Sequence, residues 1–215
     1  SDPSLNRYEK IGFPTAYREG KEEAIWADIQ VKLPALSETG KVILDIGPGC
    51  SDLPTMLIDR CRANGHTLIV IDSEEMLAQL PDEPFIEKHA GIFPDCADLI
   101  EKYAGRVDVV LSYSVLHYVF ADANIWSFLD SAIALLNDGG QMLLGDIPNV
   151  SKRRRFFSSP TGVAFHQAFT GRDDQPEVVF NQLQPGVIDD AVVIGLMQRA
   201  RAAGVDAYMV PQAPD

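Results

Sequence analysis

Apolar residues follow two alternating rhythms along this chain, short unbroken runs and longer stretches in which they recur every third or fourth position. Residues 22–33 carry Ile25, Ile29 and Leu33 at helical spacing, one face of a helix that Pro34 ends. Residues 41–46 form an apolar run closing on Gly47-Pro48-Gly49, after which Leu53, Met56, Leu57 and Cys61 return at helical spacing. Residues 66–72 are nearly continuous in Leu68, Ile69, Val70 and Ile71, as in a strand covered on both faces of a parallel sheet. A helix over 73–80, stopped by Pro81, is predicted next. A weaker strand over 84–89, a helix over 97–103 closed by Gly105 and a strong strand over 107–112 follow. Ile125, Phe128, Leu129, Ala132, Ile133 and Leu136 then mark an amphipathic helix ended by Gly139-Gly140, with a fifth strand over 141–147.

Strands and helices in such alternation imply right-handed crossovers, hence an α/β fold built on a doubly wound, mostly parallel sheet with helices on both faces. Past Asn149 the rhythm fades. Residues 151–184 are polar, rich in Phe and Gly and without a sustained period, which predicts a long irregular lid or substrate loop. Asp189-Asp190 then caps a helix through Ala203, with Gly204 at its end, and residues 205–210 read as a sixth strand. The expected organisation over 1–215 is a single domain. It divides into an N-terminal cap helix region (1–40), a ligand-binding core (41–150), a substrate or lid segment (151–187) and a last helix and strand (188–215).

Composition narrows the function. The 46% hydrophobic and 23% charged residues suit a globular protein. No stretch supplies the ~18 consecutive apolar residues of a membrane span, and residues 1–10 lack the basic and apolar regions of a secretory signal. Cys50, Cys61 and Cys96 show no CxxC spacing, so neither a disulfide framework nor a metal site is expected, and a cytoplasmic location fits three thiols. A formal net charge of -13 disfavours a nucleic-acid partner, whose phosphates need a basic face.

The chemistry gathers at predicted strand ends, where ligands sit in an open parallel sheet. Gly47 and Gly49 let the backbone pass close to a ligand at a helix start, and Asp72 closes the second strand, placed to accept hydrogen bonds from both hydroxyls of a ribose. A nucleoside-containing cofactor follows. Dinucleotide binding asks for GxGxxG, but Asp52 stands at the third glycine's place, which argues against a nicotinamide-dependent reductase.

The run Ile43-Leu44-Asp45-Ile46-Gly47-Pro48-Gly49-Cys50-Ser51 instead resembles motif I of the class I S-adenosylmethionine-dependent methyltransferases. The segments 70–77, 107–118 and 136–144 resemble the family's second strand, fourth strand and Gly-Gly turn, in family order over residues 41–147. The resemblance implies a Rossmann-like class I methyltransferase fold whose final antiparallel strand is missing here. Its cofactor would be S-adenosylmethionine, with S-adenosylhomocysteine as product. By that resemblance Asp45, Gly47, Pro48 and Gly49 would hold the methionine end, Asp72 the ribose, and Ser73 and Met76 the adenine side, bordered by Gly91, Ile92 and Phe93. Ser112, Tyr113 and Ser114 would flank the sulfonium, with His117 near the methyl group, and Arg18 would pair with the cofactor carboxylate.

His117 is the candidate catalytic base, since a histidine can take a proton at neutral pH; Tyr118, Asp146 and His166 are its rivals. Lys152-Arg153-Arg154-Arg155 stands out against the acidic background. It reads as a solvated surface, a partner-docking patch, or an anion grip in which Arg153 and Arg154, with Tyr118, would hold the substrate. The expected activity is methyl transfer to a small, anionic metabolite, O-methylation ahead of N-methylation. The alternative is a protein that binds the cofactor or its product without turnover. The expected partner is a small-molecule acceptor, with no nucleic acid and no membrane, for a monomer or homodimer.

Overall fold

Residues 20–212 are described by the structure, a computed structural model. Five strands form one sheet: β1 (Val42–Ile46), β2 (Thr67–Asp72), β3 (Ile86–Ala90), β4 (Val107–Tyr113) and β5 (Leu136–Gly145). Their order is β3-β2-β1-β4-β5 and every neighbouring pair is parallel. The chain order therefore reverses between β1 and β4, the place where such sheets bind ligands.

Alternation along the strands feeds two cores. Ile43, Leu68, Val70, Val109 and Leu111 face one side, where they pack with Ile25 and Ile29 of α1 (Glu22–Lys32), with Leu33 just past its end, and with Leu53, Leu57, Ile58 and Cys61 of α2 (Asp52–Asn64). Leu44, Ile46, Ile69, Ile71 and Val110 face the other. That side is covered by Phe128, Leu129, Ala132 and Leu135, with Leu99 and Leu196 beside them. Burial of both strand faces is the reason these runs are nearly all apolar.

After β2, α3 (Glu74–Leu77) is a single turn capped by the Ser73 side chain, shorter than the predicted 73–80. The chain continues through α4 (Ala97–Tyr103), α5 (Leu116–Asp122) and α6 (Ile125–Leu135), the last capped by Asn124, whose side chain accepts from the Trp126 and Ser127 amides. The α6 helix does not run on to Gly139-Gly140. It stops at Leu135, because Leu136 already pairs with Val107, and a register shift between Val107 and Val109 absorbs the extra residues before Gln141.

Two sequence expectations fail beyond β5. Residues 151–184 are not wholly irregular: α7 (Val150–Phe157) and α8 (Pro160–Thr170) form a helical pair, capped by Asn149 and Ser159. The pair approaches so closely that a Cβ on Gly162 would lie 2.0 Å from the Phe156 carbonyl oxygen. Nothing in α7 is buried, so no apolar stripe announced it. The sixth strand over 205–210 is absent as well. After α9 (Asp190–Ala202), capped by Asp189 as predicted, the Arg201 guanidinium donates to the Ala207 carbonyl and Gln212 Nε2 to the Tyr113 hydroxyl at 3.0 Å. These contacts draw the segment away from strand pairing.

Candidate functional site

The carboxyl ends of β1 and β2 are joined by a net of short polar contacts. Gly47 leaves β1 at φ +73° and donates its N–H to the Ile71 carbonyl at 2.8 Å. The Val115 side chain occupies the place of a β-carbon: a Cβ on Gly47 would lie 2.6 Å from its Cγ2. Beyond Pro48, the Gly49 N–H donates to Asp72 Oδ2 at 2.9 Å, and the Ser73 N–H donates to Oδ1 at 2.7 Å. Each Asp72 oxygen is thus fixed by one backbone donor and keeps further acceptor capacity.

Asp45, next to last in β1, is buried, and burial with the nearby Asp72 charge pushes its carboxyl up to about 8. Ser51 does not cap α2 with its side chain; its buried hydroxyl instead lies 3.4 Å from Oε2 of buried Glu22 at the start of α1. Glu22 was missed from sequence because an acid in a first helical turn reads as a complement to the helix dipole.

The adenine-side candidates divide. Ser73 caps α3, accepting from the Met76 N–H at 3.4 Å, and Gly91 donates to the Asp72 carbonyl at 3.0 Å, which holds it beside the end of β2. Ile92 is 73% exposed, whereas Phe93 turns into the core against Phe128, ring centroids 5.3 Å apart. Phe93 therefore does not border the crevice as expected. Its ring gains more from the core than from the surface.

At β4, Ser112 is buried and its hydroxyl donates to the Ile46 carbonyl at 3.2 Å, a tie between strands. Tyr113 is buried in the core on the α1 and α2 side. Ser114 follows, its hydroxyl bonded to Asp146 just past β5. His117, on α5, lies within the field of Asp146, and burial holds its imidazole below the ordinary range despite that charge. Its ring packs on half-exposed Tyr118 at 4.0 Å between centroids.

The basic run lies on α7. Arg154 donates to the Gln182 carbonyl at 3.0 Å, Arg155 pairs with Asp190 at 2.5 Å, and Arg153 lies over the Phe157 ring at 5.7 Å. Val150, Arg154, Arg155, Phe180, Leu183 and Asp190 are among the residues lining a cleft of about 460 Å³ beyond β5. His166 sits on α8 beside Phe157 and 3.7 Å from Asp174, in the helical pair rather than at a strand end. Arg18 lies outside the described residues.

No family model matches the chain, and no curated protein matches it in sequence. Among solved structures it is similar to the DszA carbon methyltransferase, with 21% identity and a TM-score of 0.47 over 61% of this chain and 36% of that one. A Listeria monocytogenes structure assigned as an S-adenosylmethionine dependent methyltransferase has 19% identity and a TM-score of 0.49, over 80% and 69% of the two chains. The 1,6-didemethyltoxoflavin-N1-methyltransferase of Burkholderia thailandensis, solved with 1,6-didemethyltoxoflavin and S-adenosylhomocysteine, has 16% identity and a TM-score of 0.47, over 99% and 86%. The chain thus spans only 36% of the length of the DszA structure it matches. At such identities and overlaps these likenesses carry nothing about the site. The fold rests on the strand order of the sheet itself.

Proposed function

We propose that this chain is a methyltransferase that binds S-adenosylmethionine across the ends of β1, β2 and β4 and methylates a small molecule. The observation that carries the reading is the clamped Asp72 carboxylate, held by the Gly49 and Ser73 amides beside the Gly47–Gly49 turn. A ribose diol needs two acceptors fixed before it arrives, and preorganisation of that kind lowers the cost of binding. Asp45 and Glu22 supply carboxyls for the amino group of the methionine end, and α2, which Ser51 does not cap, offers its N-terminus to the carboxylate.

A bound methyl sulfonium supplies an electrophilic methyl carbon whose bond to sulfur breaks with the electron pair kept by sulfur. What remains for the protein is to orient the acceptor and take up its proton, which is alignment more than covalent catalysis. An acceptor hydroxyl ranks ahead of an amine in this reading. An anionic acceptor would have to displace the Gln182 carbonyl from Arg154 and Asp190 from Arg155, so the basic run supports such a substrate less than its sequence suggests. Among the described residues no helix is long and apolar enough to cross a membrane.

Calorimetric titration with S-adenosylhomocysteine tests the reading. Micromolar binding is expected, and Asp72→Ala should weaken it by roughly 1–3 kcal/mol, the cost of stranding hydroxyls without acceptors. Absence of binding to the wild-type protein would end the proposal.

A further inference from the structure

Two residues with side chains hold left-handed backbone at the carboxyl ends of adjacent strands, Ser114 after β4 at φ +62° and Asp146 after β5 at φ +49°. Such conformations persist where the surroundings over-determine them, and they gather at functional sites. Here the surroundings do so. The Ser114 N–H donates to the Gly145 carbonyl at 3.0 Å, its hydroxyl bonds the Asp146 carboxylate, and the Tyr113 ring crowds Gly145 so closely that a Cβ there would lie 2.2 Å from a ring carbon. The Asp146 carboxylate is thereby presented toward α5, where its charge reaches His117.

His117 is the sequence's candidate base, yet its Nδ1 is buried with no hydrogen-bond partner among the described residues. An imidazolium donates from both ring nitrogens, so protonation would leave a charged N–H buried and unsatisfied. Of the described groups around the ring, Tyr118 packs against it at a tilt and Asp146 favours the charged form, and burial outweighs that attraction. A ring that resists a proton serves better as a wall of the site than as its base.

We propose that Asp146, held in place by Ser114, receives the acceptor's hydrogen, and that the acceptor presents a hydroxyl or N–H to the reacting centre rather than a carboxylate or phosphate. The inference rests on the methyltransferase reading for its chemistry. As the acceptor oxygen or nitrogen bonds to the methyl carbon, its hydrogen passes to the Asp146 carboxylate. The broken carbon–sulfur bond leaves its pair on sulfur, and the neutral acid afterwards returns its proton to water. A carboxylate or phosphate in the acceptor's place would face Asp146 with like charge and would have no hydrogen to give.

Amide NMR spectra of the protein, with and without saturating S-adenosylhomocysteine, are recorded during titration with phenol, benzylamine, benzoate and phenyl phosphate. Phenol or benzylamine is expected to move the Ser114 and Asp146 signals at concentrations about ten-fold or more below those the anions need, since like charges repel across a contact. Asp146→Asn should erase that preference with the affinity for S-adenosylhomocysteine unchanged, and His117→Gln should keep it. Equal response to the anions, no response to either donor, or a preference lost with His117 and kept without Asp146 would overturn the proposal. The wild-type titration decides by itself if the Asn variant does not fold. Lack of S-adenosylhomocysteine binding with the donor preference intact would instead remove the methyl-transfer step and leave Asp146 as a reader of donors.

Discussion

Gly47→Ala is expected to destabilise the protein by roughly 2–5 kcal/mol and to abolish measurable S-adenosylhomocysteine binding. Two costs add. A side chain at φ +73° pays the left-handed penalty, and its Cβ would meet Val115 Cγ2 at 2.6 Å. Valine is stiff about its first side-chain torsion and cannot swing its methyl away cheaply. The strain passes into α5, which begins one residue after Val115, and so into the side of the site that carries His117. Urea unfolding gives the stability, and the double variant with Val115→Ala separates the costs: it should recover the steric part and leave the backbone part. A Gly47→Ala protein with wild-type stability and binding would show that the turn is neither strained nor part of the site.

Asp45→Asn is expected to leave stability nearly unchanged near pH 4 and to raise it by several kcal/mol above pH 8. The folded protein holds the carboxyl's proton up to about 8, against an ordinary carboxyl value of 3.8. A raised acid stabilises most below its unfolded value, and that contribution is lost as pH rises through the folded value. At about 1.4 kcal/mol for each unit, the span amounts to roughly 6 kcal/mol. Asparagine keeps the shape and cannot ionise. Denaturant midpoints for both proteins at pH 4, 7 and 9 check this, and the difference between the two cancels the opposite slope expected from His117, whose depressed value favours folding above its ordinary range. A pH-independent difference would mean that Asp45 is ionised throughout. The reading of the site adds a consequence: a cationic amino group binding at Asp45 favours the carboxylate, so binding near pH 7 should release protons and its heat should vary with the buffer's ionisation enthalpy.

Much of the scaffold was legible in local pattern. The runs at 41–46, 66–72 and 107–112 became β1, β2 and β4, and Ile25, Ile29 and Leu33 line one buried face as spaced. Asp189 caps α9, and the Gly49 amide reaches Asp72 where β1 and β2 end side by side. These follow from the chain alone because strand and helix periods, caps and left-handed glycines depend on residues within a few positions of one another.

The helical pair α7 and α8 escaped that pattern, since it stands on side-chain caps and the contact at Gly162 rather than on an apolar stripe. The segment 205–210, read as a strand, found no edge, because pairing is granted by a neighbour and not by the segment. Phe93 went to the core, Arg154 to Gln182, and the carboxyl of Asp45 up to about 8, all through partners or burial supplied from elsewhere in the fold. Ser114 and Asp146 stand 32 residues apart and meet only because β4 and β5 lie side by side. Local pattern accounts for the inner strands, for most of the helices packed on them, and for the glycines after β1 and the acid that ends β2. Tertiary structure alone decided which polar ends meet and which charges are buried, because both are set by contacts between segments far apart in the chain.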